Sequence, residues 1–481
     1  MKAAIVGGGV IGGGWAARFV LNGWDVAVFD PDPDVERKLS GVLSNARRSL
    51  PALSDFELPP EGGITFAGSL GEAVADAAWV QECVPERLDI KHAVLSGIIE
   101  NAGETAIIAS STSGFKPSDL QSGLAKPGQV IVAHPFHPVY LLPLVEIVPG
   151  PETGPSVADN ASELLAALGM KPLTVRREID AHIADRFLEA VWREALWLIR
   201  DDIATTEEID DAIRFGFGLR WAQMGLFETY RAAGGEAGMK HFIAQFGPCL
   251  KSPWTKLMDV PELTDNLVEK IASQSDAQSG RYSNRELERL RDDNLVAILR
   301  ALKRNNAAAG AVLNAYDAHR RREPERINQA VETLARQVPQ SWTDYNGHMN
   351  ELHYLEAFST ATDRFMELIG ADADYIASGL SYFTAETHIR HIGEIIAGEK
   401  IRATTQVIHG AGKKLHIFHR LFNAKGELSA TGEHLLIHVD LTTRSACDPS
   451  AEVSAKTERY AAAHARLSSP EGAGRAVGQR K

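Results

Sequence analysis

His134 closes an apolar segment, QVIVAH at residues 129–134, and Glu146 interrupts another, LVEIV at 144–148. Imidazole titrates near neutral pH and can take the proton of a secondary alcohol as hydride leaves the carbon. A carboxylate at the edge of an apolar strand needs a partner, and orienting His134 would give it one. Ser113, in STSGF at 111–115, can hydrogen-bond the oxygen of that alcohol and shows no sign of being a covalent nucleophile. Two alternatives stay open on these residues alone: His134 as a hydrogen-bonded loop histidine, and His137 as the base.

Hydride transfer needs an acceptor, and the amino-terminal segment suits one. AAIV at 3–6 reads as a short strand, and GGGVIGGGWAARF passes from turn chemistry to helical spacing. Gly7 can make the tight turn, Gly9 can let backbone approach a pyrophosphate, and Gly12 can let the helix pack closely on its strand. The helix start offers free amides and the positive end of its dipole to the phosphates. A second strand, VAVFD, ends in Asp30, placed to bond both hydroxyls of an adenine ribose, so NAD is preferred over NADP. Apolar segments at 79–84, 105–110 and 129–134 continue an α/β pattern to about residue 176. The serine and histidine segments then fall in loops where such sheets bind ligands.

The chain has 481 residues, more than one hydrophobic core usually serves, so about two or three domains are expected. Apolar residues make up 44% and charged residues 23%, which argues against bulk disorder. A net charge of -13 disfavours a nucleic-acid surface. Cys83, Cys249 and Cys447 lie far apart with no CxxC pair, so they read as reduced core residues, and no metal is expected. No apolar leader or bilayer-length segment stands out, and the expected location is the cytoplasm with no membrane partner.

Residues 1 to about 320 resemble the 3-hydroxyacyl-CoA dehydrogenase family. The resemblance implies catalytic roles for Ser113, His134 and Glu146, and nicotinamide-side positions for Glu86 and Lys91 in VPERLDIK. One departure stands in HIADRF, where Asp185 replaces the family's asparagine. An ionised aspartate cannot donate a hydrogen bond to a thioester or ketone oxygen. A helix-surface aspartate paired with a neighbour is the alternative there.

Long helical patterns follow from about 181. Leu188, Val191, Trp192, Ala195 and Leu198 recur at helical intervals, and 287–318 forms another helical stretch. Between them, Trp221, Phe227, Tyr230, Phe242 and Phe246 offer ring faces for a quaternary ammonium, or simply pack as helices do. That segment resembles bacterial carnitine 3-dehydrogenases, which implies L-carnitine and NAD as substrates. A 3-hydroxyacyl-CoA dehydrogenase with a non-catalytic dimerisation module at its carboxyl end is the alternative.

The stretch from 336 to 460 carries WTDYNGHMN, a helix with Leu355, Phe358, Phe365 and Leu368 on one face, and four candidate strands. It resembles a hotdog thioesterase, and the family's DxNGHxN segment maps onto Asp344, Asn346, Gly347, His348 and Asn350. Asp344 could activate water or attack a thioester. Asp344, His348 and Asn350 capping the following helix is the alternative. With carnitine as the first substrate, the resemblance suggests betainyl-CoA as the thioester, and hotdog pairing suggests a homodimer. The spacing of the seven histidines between residues 388 and 438 suggests no compact zinc site.

The expected organisation is an α/β Rossmann-type NAD-binding domain at 1–178 and a mainly helical substrate and dimerisation domain at 179–320. A linker at 321–335 leads to an α+β hotdog domain at 336–460 and a flexible tail at 461–481.

Overall fold

A computed structural model describes residues 1–233, 242–245, 255, 262, 264–279, 281–320 and 327–475. The chain divides into two compact units, residues 1–50 with 59–316 and residues 51–58 with 317–481.

The first unit holds strands β1 (Lys2–Val6), β2 (Asp25–Phe29), β3 (Ile64–Phe66), β4 (Trp79–Glu82), β5 (Ile107–Ser110), β6 (Val130–Pro135), β7 (Leu144–Pro149) and β8 (Lys171–Thr174). They form one sheet in the order β3-β2-β1-β4-β5-β6-β7-β8. The strands β1 to β6 run parallel, and β7 returns antiparallel to β6. This is the dinucleotide-binding order, with its switch point between β1 and β4. Runs such as Ala3 to Val6 and Val130 to Ala133 are buried, as a sheet covered on both faces requires. Helix α1 (Val10–Val20) starts directly after the β1 turn. A Cβ on Gly12 would lie 1.8 Å from the Gly7 carbonyl oxygen, so glycine is what lets α1 begin this close to the strand.

The helical part opens with the helix Ala184–Arg200. Its expected apolar repeat does not define a buried face: Leu196 and Ile199 are buried, whereas Leu188 and Trp192 stand exposed with Phe187. The stretch expected at 287–318 is two helices, Asn284–Arg304 and Ala309–Arg320, because Asn306 and Ala308 adopt left-handed backbone between them. Asp292 of the first accepts the Tyr140 hydroxyl at 2.7 Å, which ties that helix to the sheet domain.

The second unit is an antiparallel sheet of β9 (Val331–Gln337), β10 (Leu380–His391), β11 (Lys400–Ala411), β12 (Lys414–Phe422) and β13 (Leu428–Asp440), in the order β10-β13-β12-β11-β9. The short strand β14 (Ser445–Ala446) pairs with β13. The sheet packs on the helix Glu351–Ile369, whose Tyr354, Ala357, Phe358, Ala361, Phe365 and Ile369 are buried. Leu355 is instead 41% exposed, since it lies a residue off that face. Gly432 makes room for the helix: a Cβ there would meet the Phe358 ring at 2.7 Å.

Two expected boundaries shift. The expected linker at 321–335 overlaps β9, which pairs with β11 and buries Val331 and Leu334. Residues 321–326 lie outside the described set. The expected tail at 461–481 begins inside the helix Ala451–His464. His464 is buried there, accepting from the Val407 amide and bonding the Gln329 carbonyl, each at 2.9 Å. Alanine-rich sequence read as mobile is also good helix-forming sequence once one face packs.

Residues 51–58 leave the sheet domain's sequence to join this second unit. The buried Arg336 guanidinium pairs with Asp55 at 2.9 Å and stacks over the Trp342 ring at 4.2 Å.

The histidines here are mostly structural. His419 bonds Thr362 and Thr405 at 2.9 and 2.8 Å, and His434 bonds Thr387 at 3.0 Å. Burial holds His419 well below its ordinary value and pushes His434 down to about 4. The unfolded chain therefore binds more protons than the folded one between pH 6.5 and about 4. Stability is full above the unfolded value and is lost as pH falls through this window, by about 1.4 kcal/mol per unit per histidine. Amide exchange of β12 and β13 should speed up on going from pH 7 to pH 5, after correction for intrinsic rates, and His434→Gln should blunt the effect. Unchanged corrected protection would refute the assignment.

Candidate active sites

The antiparallel register places His134 of β6 directly opposite Glu146 of β7, so both side chains leave the same face of the sheet. His134 Nδ1 donates to Glu146 Oε2 at 3.0 Å, which leaves Nε2 as the acceptor. The Ser113 hydroxyl stands 3.2 Å from Nε2. His137, the competing base, is exposed and has its Nε2 against Arg291 at 2.5 Å, away from this chain of contacts.

Glu146 has a second task that no sequence pattern announces. Its Oε1 accepts the backbone amides of Ile183 at 2.9 Å and Ala184 at 3.0 Å, at the start of the 184–200 helix. Burial works against the charge, but His134 and the two amides outweigh it and hold the Glu146 carboxyl below its ordinary value. Asp185 follows in the first turn, with Oδ2 at 3.6 Å from His134 Nε2. Burial pushes the Asp185 carboxyl up, opposed by the His134 ring.

His182 was missed. It is fully buried in left-handed backbone, as is the chain at Ala181, and its ring lies 5.5 Å from that of His134. Its Nε2 bonds the Thr112 carbonyl at 3.2 Å, and burial keeps it below its ordinary value and hence uncharged. Phe136 meets His134 edge-on at 5.0 Å.

At the switch point, Gly9 begins α1 without a side-chain cap, and a Cβ on it would meet nothing within 4 Å. Asp30 accepts the Gly8 amide at 2.6 Å and the Asp32 amide at 2.8 Å. An open backbone cradle, free amides and a carboxylate at the end of β2 fit a dinucleotide. Glu86 reaches the serine loop, accepting the Gly114 amide at 3.1 Å and the Thr112 hydroxyl. Burial opposes its charge, but Thr112 and Lys91 outweigh it and lower its carboxyl. Lys91 itself is buried, with Nζ at 3.0 Å from Glu82 and 3.2 Å from Glu86, so it holds Glu86 in place rather than reaching solvent. Cys83 beside them is pushed up to about 12 by burial and is no thiolate.

The expected aromatic set is not gathered at His134 among the described residues. Trp221 packs on Phe217 and Tyr230 stacks on Phe242, each at 4.5 Å, and Phe227 is exposed. Phe246 lies outside the described residues.

In the second unit, Asp344 Oδ1 accepts the amides of Asn346 at 2.8 Å and His348 at 3.3 Å. Gly347, at φ +79°, closes this turn. Asn350 caps the 351–369 helix, accepting from Leu352 at 3.0 Å, and His348 stands 3.5 Å from Glu394. The capping expected for Asn350 is thus present, and the bonds of Asp344 fall on one carboxylate oxygen. No group of three potential metal-binding side chains occurs among the described residues, and none of their helices is long and apolar enough to cross a membrane.

Residues 2–179 match the NAD binding domain of 3-hydroxyacyl-CoA dehydrogenase, residues 182–279 its C-terminal domain, and residues 338–457 the thioesterase-like superfamily. The chain is 65% identical over 481 residues to the L-carnitine dehydrogenase/betainyl-CoA thioesterase of Ruegeria pomeroyi, covering 99% of each. The identity is 55% over 442 residues to the protein so named in Agrobacterium fabrum, covering 92% of this chain and 90% of that one. The L-carnitine dehydrogenase of Mesorhizobium japonicum is 60% identical over 310 residues, 64% of this chain and 85% of that one. Among solved structures, an NAD+-dependent 5-formyl-3-hydroxy-2-methylpyridine 4-carboxylic acid 5-dehydrogenase superposes with a TM-score of 0.55. It is 28% identical, over 63% of this chain and 98% of that one.

Proposed function

Because the chain belongs to the L-carnitine dehydrogenase/betainyl-CoA thioesterase family, we propose that it oxidises L-carnitine to 3-dehydrocarnitine with NAD and hydrolyses betainyl-CoA to glycine betaine and CoA. Relatives that align over about 64% of the chain bear only the first half of that name, so the second activity goes with the carboxyl-terminal third.

The observation that carries the first activity is the Ser113–His134–Glu146 contact chain. Ser113 holds the C3 oxygen, His134 Nε2 takes its proton, and Glu146 stabilises the imidazolium that results. NAD, when bound, accepts the hydride from C3. Gly7, Gly9, Gly12 and Asp30 would hold the dinucleotide, and Glu86, fixed by Lys91, would flank its nicotinamide end. In the second unit Asp344 activates water, or itself attacks the thioester carbon, with the positive end of the 351–369 helix receiving the oxyanion.

The test is initial-rate NADH formation with L-carnitine, D-carnitine and a short 3-hydroxyacyl-CoA. Selectivity for L-carnitine is expected, and preference for the acyl-CoA overturns the reading.

The exposed Phe187, Leu188 and Trp192 of the 184–200 helix support a homodimer formed through the helical part. Trp192→Glu should shift the protein to monomer in sedimentation at micromolar concentration. An unchanged dimer would place the interface elsewhere.

A further inference from the structure

The proton-accepting atom of His134 has two oxygen neighbours, the Ser113 hydroxyl at 3.2 Å and the Asp185 carboxylate at 3.6 Å. Among the described residues Asp185 makes no ion pair with lysine or arginine, and His182 alongside is held uncharged. When His134 acts as the base, a partly buried carboxylate therefore faces the reacting oxygen with no lysine or arginine paired to it among the described residues. For an uncharged alcohol that is unfavourable, because the oxygen gains negative charge as its proton leaves.

A substrate that brings its own cation reverses the sign. In a 3-hydroxy-4-trimethylammonio acid the oxygen and nitrogen are separated by three bonds and lie within about 4 Å of each other. An oxygen held by Ser113 and His134 thus puts the ammonium beside Asp185. A quaternary nitrogen has no N–H to donate, so what the site can offer it is a negative charge, and an amide at this position would not supply one.

Resting on the carnitine reading, we propose that Asp185 is the counterion of the substrate's quaternary ammonium and is the residue that selects a cationic alcohol. It acts on the substrate rather than through His134, and this separates it from Glu146. The five aromatic residues expected to receive the ammonium are not needed for that selection.

The experiment compares L-carnitine with its carbon isostere, in which tert-butyl replaces trimethylammonium, in wild type and Asp185→Asn. The carnitine-to-isostere ratio of kcat/KM should fall at least about thirty-fold in the variant, and Asp185→Glu should recover part of it. If Asp185→Asn turns over neither substrate, binding of the hydroxyl-free 4-trimethylammonio-2-butenoate and its own carbon isostere replaces the rate. The variant should lose affinity for the cation alone. A ratio that survives, in rates or in binding, overturns the proposal and makes Asp185 a partner of protonated His134. A wild type that does not oxidise L-carnitine at all would instead remove the reading beneath it.

Discussion

Glu146→Gln is expected to lower kcat/KM for L-carnitine oxidation by about 10³-fold, nearly as much as His134→Gln, while NAD affinity changes by less than about twofold. The reason is a conflict over one amide group. Two backbone amides, of Ile183 and Ala184, point at one oxygen of Glu146, and His134 Nδ1 points at the other. In a glutamine the carbonyl oxygen must go to the two amides, since the alternative sets an NH2 against two donors. The NH2 then faces His134 Nδ1 and forces the imidazole proton onto Nε2. The nitrogen that should receive the alcohol proton already has one. A loss of 10³ corresponds to about 4 kcal/mol of transition-state stabilisation. Initial rates with saturating NAD, together with NAD titration by fluorescence, check both halves. A variant keeping more than a tenth of the wild-type rate would show that the carboxylate does not set the tautomer.

The same residue shows where sequence reading succeeds and where it stops. A charged side chain inside LVEIV demands a partner, and His134 was recognisable from its chemistry, with the register then setting the two opposite each other on adjacent strands. That Glu146 also anchors the first amides of the 184–200 helix depends on how a distant segment is steered. The steering is done by left-handed backbone at Ala181 and His182, which local propensity disfavours and no motif marks. The glycine turn and Asp30 were legible because each glycine answers a local steric demand. Lys91 was placed by resemblance alone, and its burial between Glu82 and Glu86 became visible only with the strands folded. Helix faces were legible where one face packs, as at Phe358 and Phe365. They misled in the 184–200 helix, where apolar residues remain exposed on a single chain. Strand β9 was absorbed into a linker because the charged run before it dominates the local composition.

Asp344→Asn should abolish betainyl-CoA hydrolysis, by about 10³-fold or more, and leave carnitine oxidation by the same preparation unchanged. The substitution separates the two readings of WTDYNGHMN. As a turn former, Asp344 needs one oxygen to accept the amides of Asn346 and His348, and an asparagine carbonyl does that equally well. As a catalyst it needs the other oxygen, to take a proton from water or to bond the thioester carbon, and an amide NH2 can do neither. The turn, the Gly347 geometry and the Asn350 cap should therefore persist, and the unfolding transition should move by no more than about 1 kcal/mol. Thiol release from betainyl-CoA, followed beside NADH formation from L-carnitine, reads both activities in one preparation. If hydrolysis survives the change, the carboxylate serves only the turn. If wild type and variant are both inactive, the carboxyl-terminal unit is a dimerisation module whose acid has kept its structural bonds without its chemistry.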